Sequence, residues 1–122
     1  MRAVIADDDE DIRALVRIAA GKAGIEVVAD VADGTDAWAA IESLRPDLAV
    51  LDHAMPGMTG IEVCRRTRQH ASLDDVRLVL VTAAADGAAR ERGLAAGVDE
   101  YVTKPFTLRE LTRIMSEQRA VR

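Results

Sequence analysis

The sequence predicts an α/β fold in which a five-stranded parallel sheet, with strand order 2-1-3-4-5, is doubly wound and carries helices on both faces. Short apolar segments alternate along the chain with segments whose apolar residues recur every three to four positions, which is typical of β–α units. Several of the apolar segments are uninterrupted, as in a parallel sheet that is covered on both faces. Polar residues follow these segments at their carboxyl ends, where such sheets bind ligands.

The first part of the chain contains two strands, each followed by a helix. A wholly apolar strand is predicted at residues 3–6. The helix after it is indicated by the spacing of Ile12, Leu15, Val16, Ala19 and Ala23. Gly24 ends that helix, and the second strand follows at residues 25–29. The second helix is indicated by Ala37, Ala40, Ile41 and Leu44. Pro46 cannot continue it, so the helix ends before that residue.

The same alternation continues in the middle of the chain. A third strand is predicted at residues 48–51, and after the loop at 55–60 a third helix runs from about 61 to 70. The fourth strand lies at 78–81. It precedes a fourth helix, rich in alanine, at about 86–96.

A fifth strand and a fifth helix complete the predicted alternation. Gly97 ends the fourth helix, and a short fifth strand follows at residues 100–103. The final helix is indicated by Leu108, Leu111 and Met115.

The polarity of the strands predicts their order in the sheet. Strands one, three and four are wholly apolar, whereas the second strand carries Glu26 and the fifth carries Glu100, so the second and fifth strands belong at the edges. The order 2-1-3-4-5 satisfies this and places the change in winding direction between strands one and three.

Composition limits the class of protein. The chain has 122 residues, 49% hydrophobic and 30% charged, from which we expect a single domain over residues 1–122. The net charge of −5 argues against direct binding of nucleic acid. We expect no membrane association and a cytoplasmic location, because there is neither a run of about 18 apolar residues nor a signal-peptide pattern. Cys64 has helical spacing from Ile61 and Thr67, which predicts a core residue.

Acidic residues crowd the predicted carboxyl ends of two neighbouring strands. Asp7, Asp8 and Asp9 begin at the end of the first strand, and Asp52 ends the third. Neighbouring strands lie roughly 5 Å apart, so these carboxylates repel one another unless a positive charge sits among them. A divalent metal ion is the simplest such charge. Alternatively, the three consecutive aspartates merely cap the first helix, a role for which Asp9 is best placed.

Several segments of the chain resemble the receiver domain of bacterial two-component response regulators. They occur in the order of that family and cover essentially the whole chain: VIADDDEDIR, PDLAVLDHAMPGMTGIEVCRR, LVLVTAAA and GVDEYVTKPFTLREL. The resemblance implies a flavodoxin-like fold. It also implies that a histidine kinase or a histidine phosphotransfer protein transfers a phosphoryl group to Asp52 in the presence of Mg²⁺.

The resemblance also implies how the metal is held. Asp52 and Asp8 would be carboxylate ligands, Asp7 would act mainly through bound water, and the backbone carbonyl of Ala54 would complete the protein's share. It further implies a cis peptide bond between Lys104 and Pro105. Tyr101 would be a switch residue, moving inward when the hydroxyl of Thr82 turns toward the phosphoryl group. That movement would alter the face made by the fourth helix, the fifth strand and the fifth helix, where an output domain or partner would bind.

The proposed chemistry requires residues of these types. An aspartate that attacks a phosphoryl group must be ionised, and the charge on the transferring oxygens must be neutralised. Mg²⁺ prefers oxygen ligands and is commonly held by one or two carboxylates together with phosphate oxygens. Lys104 supplies a fixed positive charge and Thr82 a hydroxyl donor, both at carboxyl ends of strands. Alternatively, Lys104 is a solvated surface lysine and Thr82 is an ordinary residue at the end of a strand.

Other classes of function remain as alternatives. A flavodoxin-like cofactor protein would need a hydroxyl-rich phosphate loop and aromatic residues, whereas the loop after the first strand is acidic. A dinucleotide-binding enzyme would need a Gly-x-Gly-x-x-Gly motif there, which is absent. We therefore expect a signalling domain and not an enzyme that acts on other substrates. A receiver-like interaction module that is not phosphorylated, and a phosphorelay shuttle without its own output, are the remaining alternatives.

Overall fold

Five β-strands and five α-helices alternate in the computed structural model, which describes residues 1–83 and 87–120. The strands are β1 (Arg2–Ala6), β2 (Glu26–Val31), β3 (Leu48–Asp52), β4 (Arg77–Ala83) and β5 (Glu100–Lys104). The helices are α1 (Glu10–Lys22), α2 (Gly34–Leu44), α3 (Gly60–Arg68), α4 (Gly87–Ala95) and α5 (Leu108–Ala120), with a 3₁₀ helix at Ala71–Leu73. Within this part of the chain, no helix is long and apolar enough to cross a membrane.

The strands form one sheet in the order β2-β1-β3-β4-β5, and all neighbouring pairs are parallel, which confirms the predicted topology. The register sets the carboxyl ends of the strands side by side. Ala6 pairs with Leu51 in β3, and Asp52 pairs with Val81 in β4. Residues that follow β1 and end β3 and β4 are therefore brought to the same edge of the sheet.

Apolar layers cover both faces of the sheet. Helices α1 and α5 pack on one face through residues that include Val16, Leu111 and Met115. Helices α2 and α3 pack on the other face, where Ile41, Val63 and the fully buried Cys64 lie. Every residue of β3 is buried, as expected for a central strand of a parallel sheet.

Local capping explains where the helices begin and how their bounds differ from the prediction. Asp9 is the N-cap of α1 and accepts hydrogen bonds from the backbone N–H groups of Asp11 and Ile12. Thr59 and Glu62 form a capping box at the start of α3. Helix α3 ends at Arg68, two residues earlier than predicted, and the 3₁₀ helix that follows was not predicted. Asp86, where the fourth helix was predicted to begin, lies outside the described residues.

An ionic network, the Asp99 network, joins the elements at the amino end of β4. It consists of Arg68, Arg77, Asp99 and Gln118. The Asp99 carboxylate accepts hydrogen bonds from the backbone N–H of Leu78 and from Arg68, both at 2.8 Å. Arg68 also donates to the carbonyl of Gly97 at 3.0 Å, and Arg77 donates to the buried Gln118 of α5 at 3.0 Å. The network therefore ties α3, the segment before β5 and α5 to the start of β4.

Candidate functional site

Three carboxylates converge where β1 and β3 end. Asp7 and Asp52 are buried, with 3% and 4% of their surface exposed, whereas Asp8 is exposed. One oxygen from each of the three side chains lies within 4.8 Å of the others. We call Asp7, Asp8 and Asp52 the acidic cluster. The third aspartate of the run, Asp9, lies outside it because its side chain caps α1.

The two buried carboxylates share one lysine, which ends β5. The Lys104 ammonium lies 3.1 Å from Oδ2 of Asp7 and 3.2 Å from Oδ1 of Asp52. Burial alone would lower the pKa of Lys104, but the Asp52 and Asp7 carboxylates act against this and the pKa is raised. Lys104 is therefore a permanent cation of the site. The peptide bond that follows it, to Pro105, is cis as predicted.

One ammonium does not neutralise three carboxylates. The pKa of Asp52 is raised from 3.8 to about 6, mainly by burial and then by repulsion from Asp7, and Lys104 only partly opposes these effects. Repulsion from Asp8 adds to them. The arrangement is a set of hard oxygen donors with excess negative charge, which fits a small divalent cation such as Mg²⁺.

An open cleft of about 290 Å³ lies beside the acidic cluster. Its lining consists of Asp8, Asp9, Asp52, His53, Ala54, Thr82, Ala83 and Lys104. The structure thus brings the predicted residues Thr82 and Lys104 to the same cleft as Asp8 and Asp52. A larger hollow of about 390 Å³ lies beside Arg77 and Asp99, but there the described residues offer no comparable group of metal-ligating atoms. Donor chemistry, more than volume, marks the cleft at Asp52 as the site.

Close backbone contacts fix the loop that follows Asp52, and sequence reasoning did not identify them. A Cβ atom on Gly60 would lie 2.4 Å from the carbonyl oxygen of Asp52, and the N–H of Gly60 donates to the carbonyl of His53 at 3.0 Å. A Cβ atom on Gly34 would lie 1.7 Å from the carbonyl oxygen of Met58. Only glycine permits these two approaches. Gly34 and Gly60 therefore hold the loop that carries Ala54, and a glycine at each helix start was the available signal.

The structure shows the surroundings of His53, which lines the cleft, and of Tyr101, the predicted switch residue. His53 is half-buried, and its Nδ1 is buried without a hydrogen-bond partner among the described residues. Tyr101, in β5, is half-buried and packs against the apolar layer on the α3 side. The Arg90 guanidinium lies 5.5 Å from the centre of the Tyr101 ring. The aromatic ring that was predicted to switch therefore lies beside α4.

A protein-family model and curated relatives place the chain among the same kind of proteins. A family model described as the response regulator receiver domain matches residues 3–116. The chain is 37% identical over 107 residues to the phosphate regulon transcriptional regulatory protein PhoB of Rhizobium meliloti, covering 88% of this chain and 47% of that protein. It is 39% identical over 110 residues to the DNA-binding response regulator MtrA of Mycobacterium tuberculosis strain H37Rv, covering 90% and 46%. The chain thus spans about half the length of these curated relatives.

Solved structures show the same fold. A DNA-binding response regulator of the LuxR family from Staphylococcus aureus superposes with a TM-score of 0.88 at 30% identity, covering 96% of this chain and 97% of that chain. The chemotaxis response regulator CheY4 of Vibrio cholerae superposes with a TM-score of 0.87 at 27% identity, covering 96% and 97%.

Proposed function

Because the chain belongs to the response regulator receiver domain family, whose role in two-component signalling is to accept a phosphoryl group, we propose that Asp52 is its phosphoacceptor. The observation that carries the proposal is the buried Asp52 carboxylate, which lies 3.2 Å from the Lys104 ammonium and faces an open cleft. With a pKa of about 6, Asp52 is largely ionised at pH 7.5 and available as a nucleophile.

The acidic cluster is the proposed Mg²⁺ site. Asp8 and Asp52 would supply carboxylate oxygens, the carbonyl of Ala54 would be a further ligand, and Asp7 would act mainly through bound water. When bound, Mg²⁺ supplies charge neutralisation for the transferring phosphoryl oxygens. The convergence of three carboxylates that only one lysine offsets supports this assignment.

The reaction itself depends on residues of the chain. One Asp52 oxygen forms a bond to phosphorus while the bond from phosphorus to the donor's histidine nitrogen breaks, and that nitrogen keeps the electron pair and takes a proton from solvent. Lys104 donates to one of the phosphoryl oxygens from the β5 side, and the Thr82 hydroxyl donates to another from the end of β4. Both residues line the cleft at Asp52, which supports these roles.

The proposed partners follow from this chemistry. The phosphoryl donor is a histidine kinase or a histidine phosphotransfer protein, which this chain would meet in the cytoplasm. The face made by α4, β5 and α5 passes the signal to an output domain or partner. We propose that residues 1–122 act as one signalling domain, not as an enzyme with a separate substrate. The printed names of PhoB and MtrA describe transcriptional or DNA-binding regulators, and the chain matches about half of each. With its net charge of −5, this part is not itself expected to contact DNA.

Intact-mass measurement after treatment with acetyl phosphate tests the proposal. We expect the parent protein to gain the mass of one phosphoryl group with Mg²⁺ and to gain nothing with EDTA, because the metal-free cluster repels an incoming anion. Asp52→Ala should gain nothing in either condition. Asp74→Ala, which removes an exposed carboxylate outside the cleft, is the matched control and should behave as the parent. Equal labelling of Asp52→Ala, or no labelling of the parent, would contradict the assignment.

A further inference from the structure

Arg13 of α1 touches the main chain at the acidic cluster. Its side chain is only 18% exposed, and one guanidinium nitrogen donates to the carbonyl oxygen of Asp7 at 2.8 Å. Its Nε lies 2.8 Å from Oδ1 of Asp30 in β2. The guanidinium thus joins the carboxyl end of β1 to the carboxyl end of β2.

The carbonyl that Arg13 binds belongs to the peptide group linking Asp7 to Asp8. Since a peptide group is planar, a hydrogen bond to its oxygen also fixes the direction in which the Asp8 backbone leaves. The N–H of Asp7 is held separately by the carbonyl of Val31 at 3.2 Å. Among the described residues the Asp8 carboxylate has no hydrogen bond or ion pair, so its position depends on its backbone.

We propose that Arg13 is a positioning residue for the acidic cluster: it holds the Asp7 to Asp8 peptide so that the Asp8 carboxylate stays at cation-binding distance from Asp52. This inference rests on the proposed Mg²⁺ site. Arginine suits the role because its planar guanidinium can pair with the Asp30 carboxylate through Nε while another nitrogen donates to the Asp7 carbonyl. The contact with Asp30 is an ion pair without hydrogen-bond geometry, so the directional bond of Arg13 is the one to Asp7. A lysine ammonium keeps the charge but not this planar geometry.

Simple electrostatics gives the opposite expectation for cation binding. Arg13 carries a positive charge close to the cluster, so its removal should by charge alone strengthen the binding of a cation. If Arg13 positions Asp8, its removal weakens binding. The sign of the change therefore separates the two effects.

The chain offers a matched control in Arg17, one helical turn further along α1. Arg17 also pairs with Asp30, but its side chain is 43% exposed and, among the described residues, it forms no hydrogen bond or ion pair with Asp7. Arg17→Met removes the same charge and one partner of the same carboxylate, and it leaves the contact between Arg13 and Asp7 in place.

Calorimetric titration of Mg²⁺ into the parent, Arg13→Met, Arg13→Lys and Arg17→Met tests the proposal. We expect Arg13→Met to bind about tenfold more weakly, the low end of the effect of losing an outer-shell partner of a metal ligand. Arg13→Lys should also bind more weakly than the parent, although it keeps the charge. Arg17→Met should bind as the parent does or slightly more tightly. With acetyl phosphate, the phosphorylation rate of Arg13→Met should fall at limiting Mg²⁺ and return toward the parent rate at saturation.

Parent-like or tighter binding by Arg13→Met would overturn the proposal, and so would an equal loss in Arg17→Met. If Arg13→Met does not fold, as judged by circular dichroism, Arg13→Lys decides alone, and parent affinity in that variant overturns the proposal. Absence of Mg²⁺ binding by the parent would instead overturn the proposed function.

Discussion

At the scale of single residues, Asp52 costs the metal-free fold stability at neutral pH. Its pKa is 3.8 in the unfolded reference and about 6 in the folded chain, so the folded state holds its proton more tightly. Well below pH 3.8 both states are protonated and there is no cost. As the pH rises to 6 the cost grows, because the unfolded state ionises first. Above that the cost is constant.

We therefore expect Asp52→Asn to raise the free energy of unfolding in EDTA at pH 7.5 by roughly 1–3 kcal/mol, the upper figure being the whole pKa difference. The gain over the parent should shrink as the pH is lowered toward 4. Urea unfolding at several pH values measures it. Asp74→Asn, at an exposed position, is the control and should show no such pH-dependent gain. If Asp52→Asn has a lower free energy of unfolding than the parent at pH 7.5, then the ionised Asp52 carboxylate does not destabilise the metal-free fold.

Sequence reasoning placed the site residues together but could not rank their burial. The run of aspartates and the strand ends predicted the crowding of Asp7, Asp8 and Asp52. Which aspartate is buried depends on the pairing of β1 and on the lysine that reaches back from β5, neither of which a local pattern contains. The contact of Arg13 with Asp7 was missed for the same reason, because it depends on how α1 crosses β2.

At the scale of elements, α4 is weakly packed. Among the residues of α4 whose burial is described, only Gly93 is buried, and it carries no side chain, while Leu94 is 62% exposed. Such small buried area contributes little to holding a helix in place. A Cβ atom on Gly93 would lie 3.0 Å from Leu80 and 3.7 Å from the Tyr101 ring, so the helix is close to β4 and β5 although it buries little.

The weak packing of α4 leads to a prediction about signalling. If Thr82 and Lys104 bind the new phosphoryl oxygens, the modified state gains an interaction that the free state lacks, and only such a difference shifts a conformational equilibrium. Beryllofluoride with Mg²⁺, which occupies the phosphoryl position, should move amide resonances over residues 87–96 and 100–106. Thr82→Ala should lose these shifts while still binding Mg²⁺.

Thr103→Ala is the matched control for this experiment. Thr103 pairs with Thr82 in the sheet but is exposed, so its removal should leave the shifts intact. Changes confined to the loops beside Asp52, with α4 and Tyr101 silent, would argue that the chain takes phosphate without signalling through that face. A phosphorelay shuttle would then be the better description.

The order and type of the elements were predictable because each carries its own periodicity, and Glu26 and Glu100 marked the edge strands. The bounds were less predictable. β2 extends to Val31, where it pairs with Ala6, although residues 30 and 31 do not continue an apolar run. The 3₁₀ helix at Ala71–Leu73 is too short to show any period.

At the scale of the whole molecule, the proposed Mg²⁺ site would link cation binding to global stability. Asp8→Asn should stabilise the metal-free protein, because one of three mutually repelling carboxylates loses its charge. The same variant should show a smaller rise in melting temperature on addition of Mg²⁺, since only a ligand that binds the folded state raises it. Thermal unfolding across a Mg²⁺ titration gives both quantities.

Asp11→Asn, which removes an exposed carboxylate from the first turn of α1 outside the cluster, is the control. It should leave the response to Mg²⁺ unchanged. An Asp8→Asn protein that melts lower than the parent without metal would contradict the repulsion within the cluster. One that responds to Mg²⁺ as strongly as the parent would show that the Asp8 carboxylate is not a cation ligand.

The Asp99 network has an evolutionary consequence. The network stabilises the amino end of the sheet, whereas repulsion between the carboxylates of the acidic cluster destabilises the carboxyl end. A five-residue strand such as β3 separates the two ends by roughly 17 Å. Over distances beyond about 7–10 Å the effects of substitutions on stability usually add independently. Mutations that strengthen the network can therefore compensate for the cost of the cluster without altering its chemistry, so a lineage can drift at one end of the sheet while selection preserves the other.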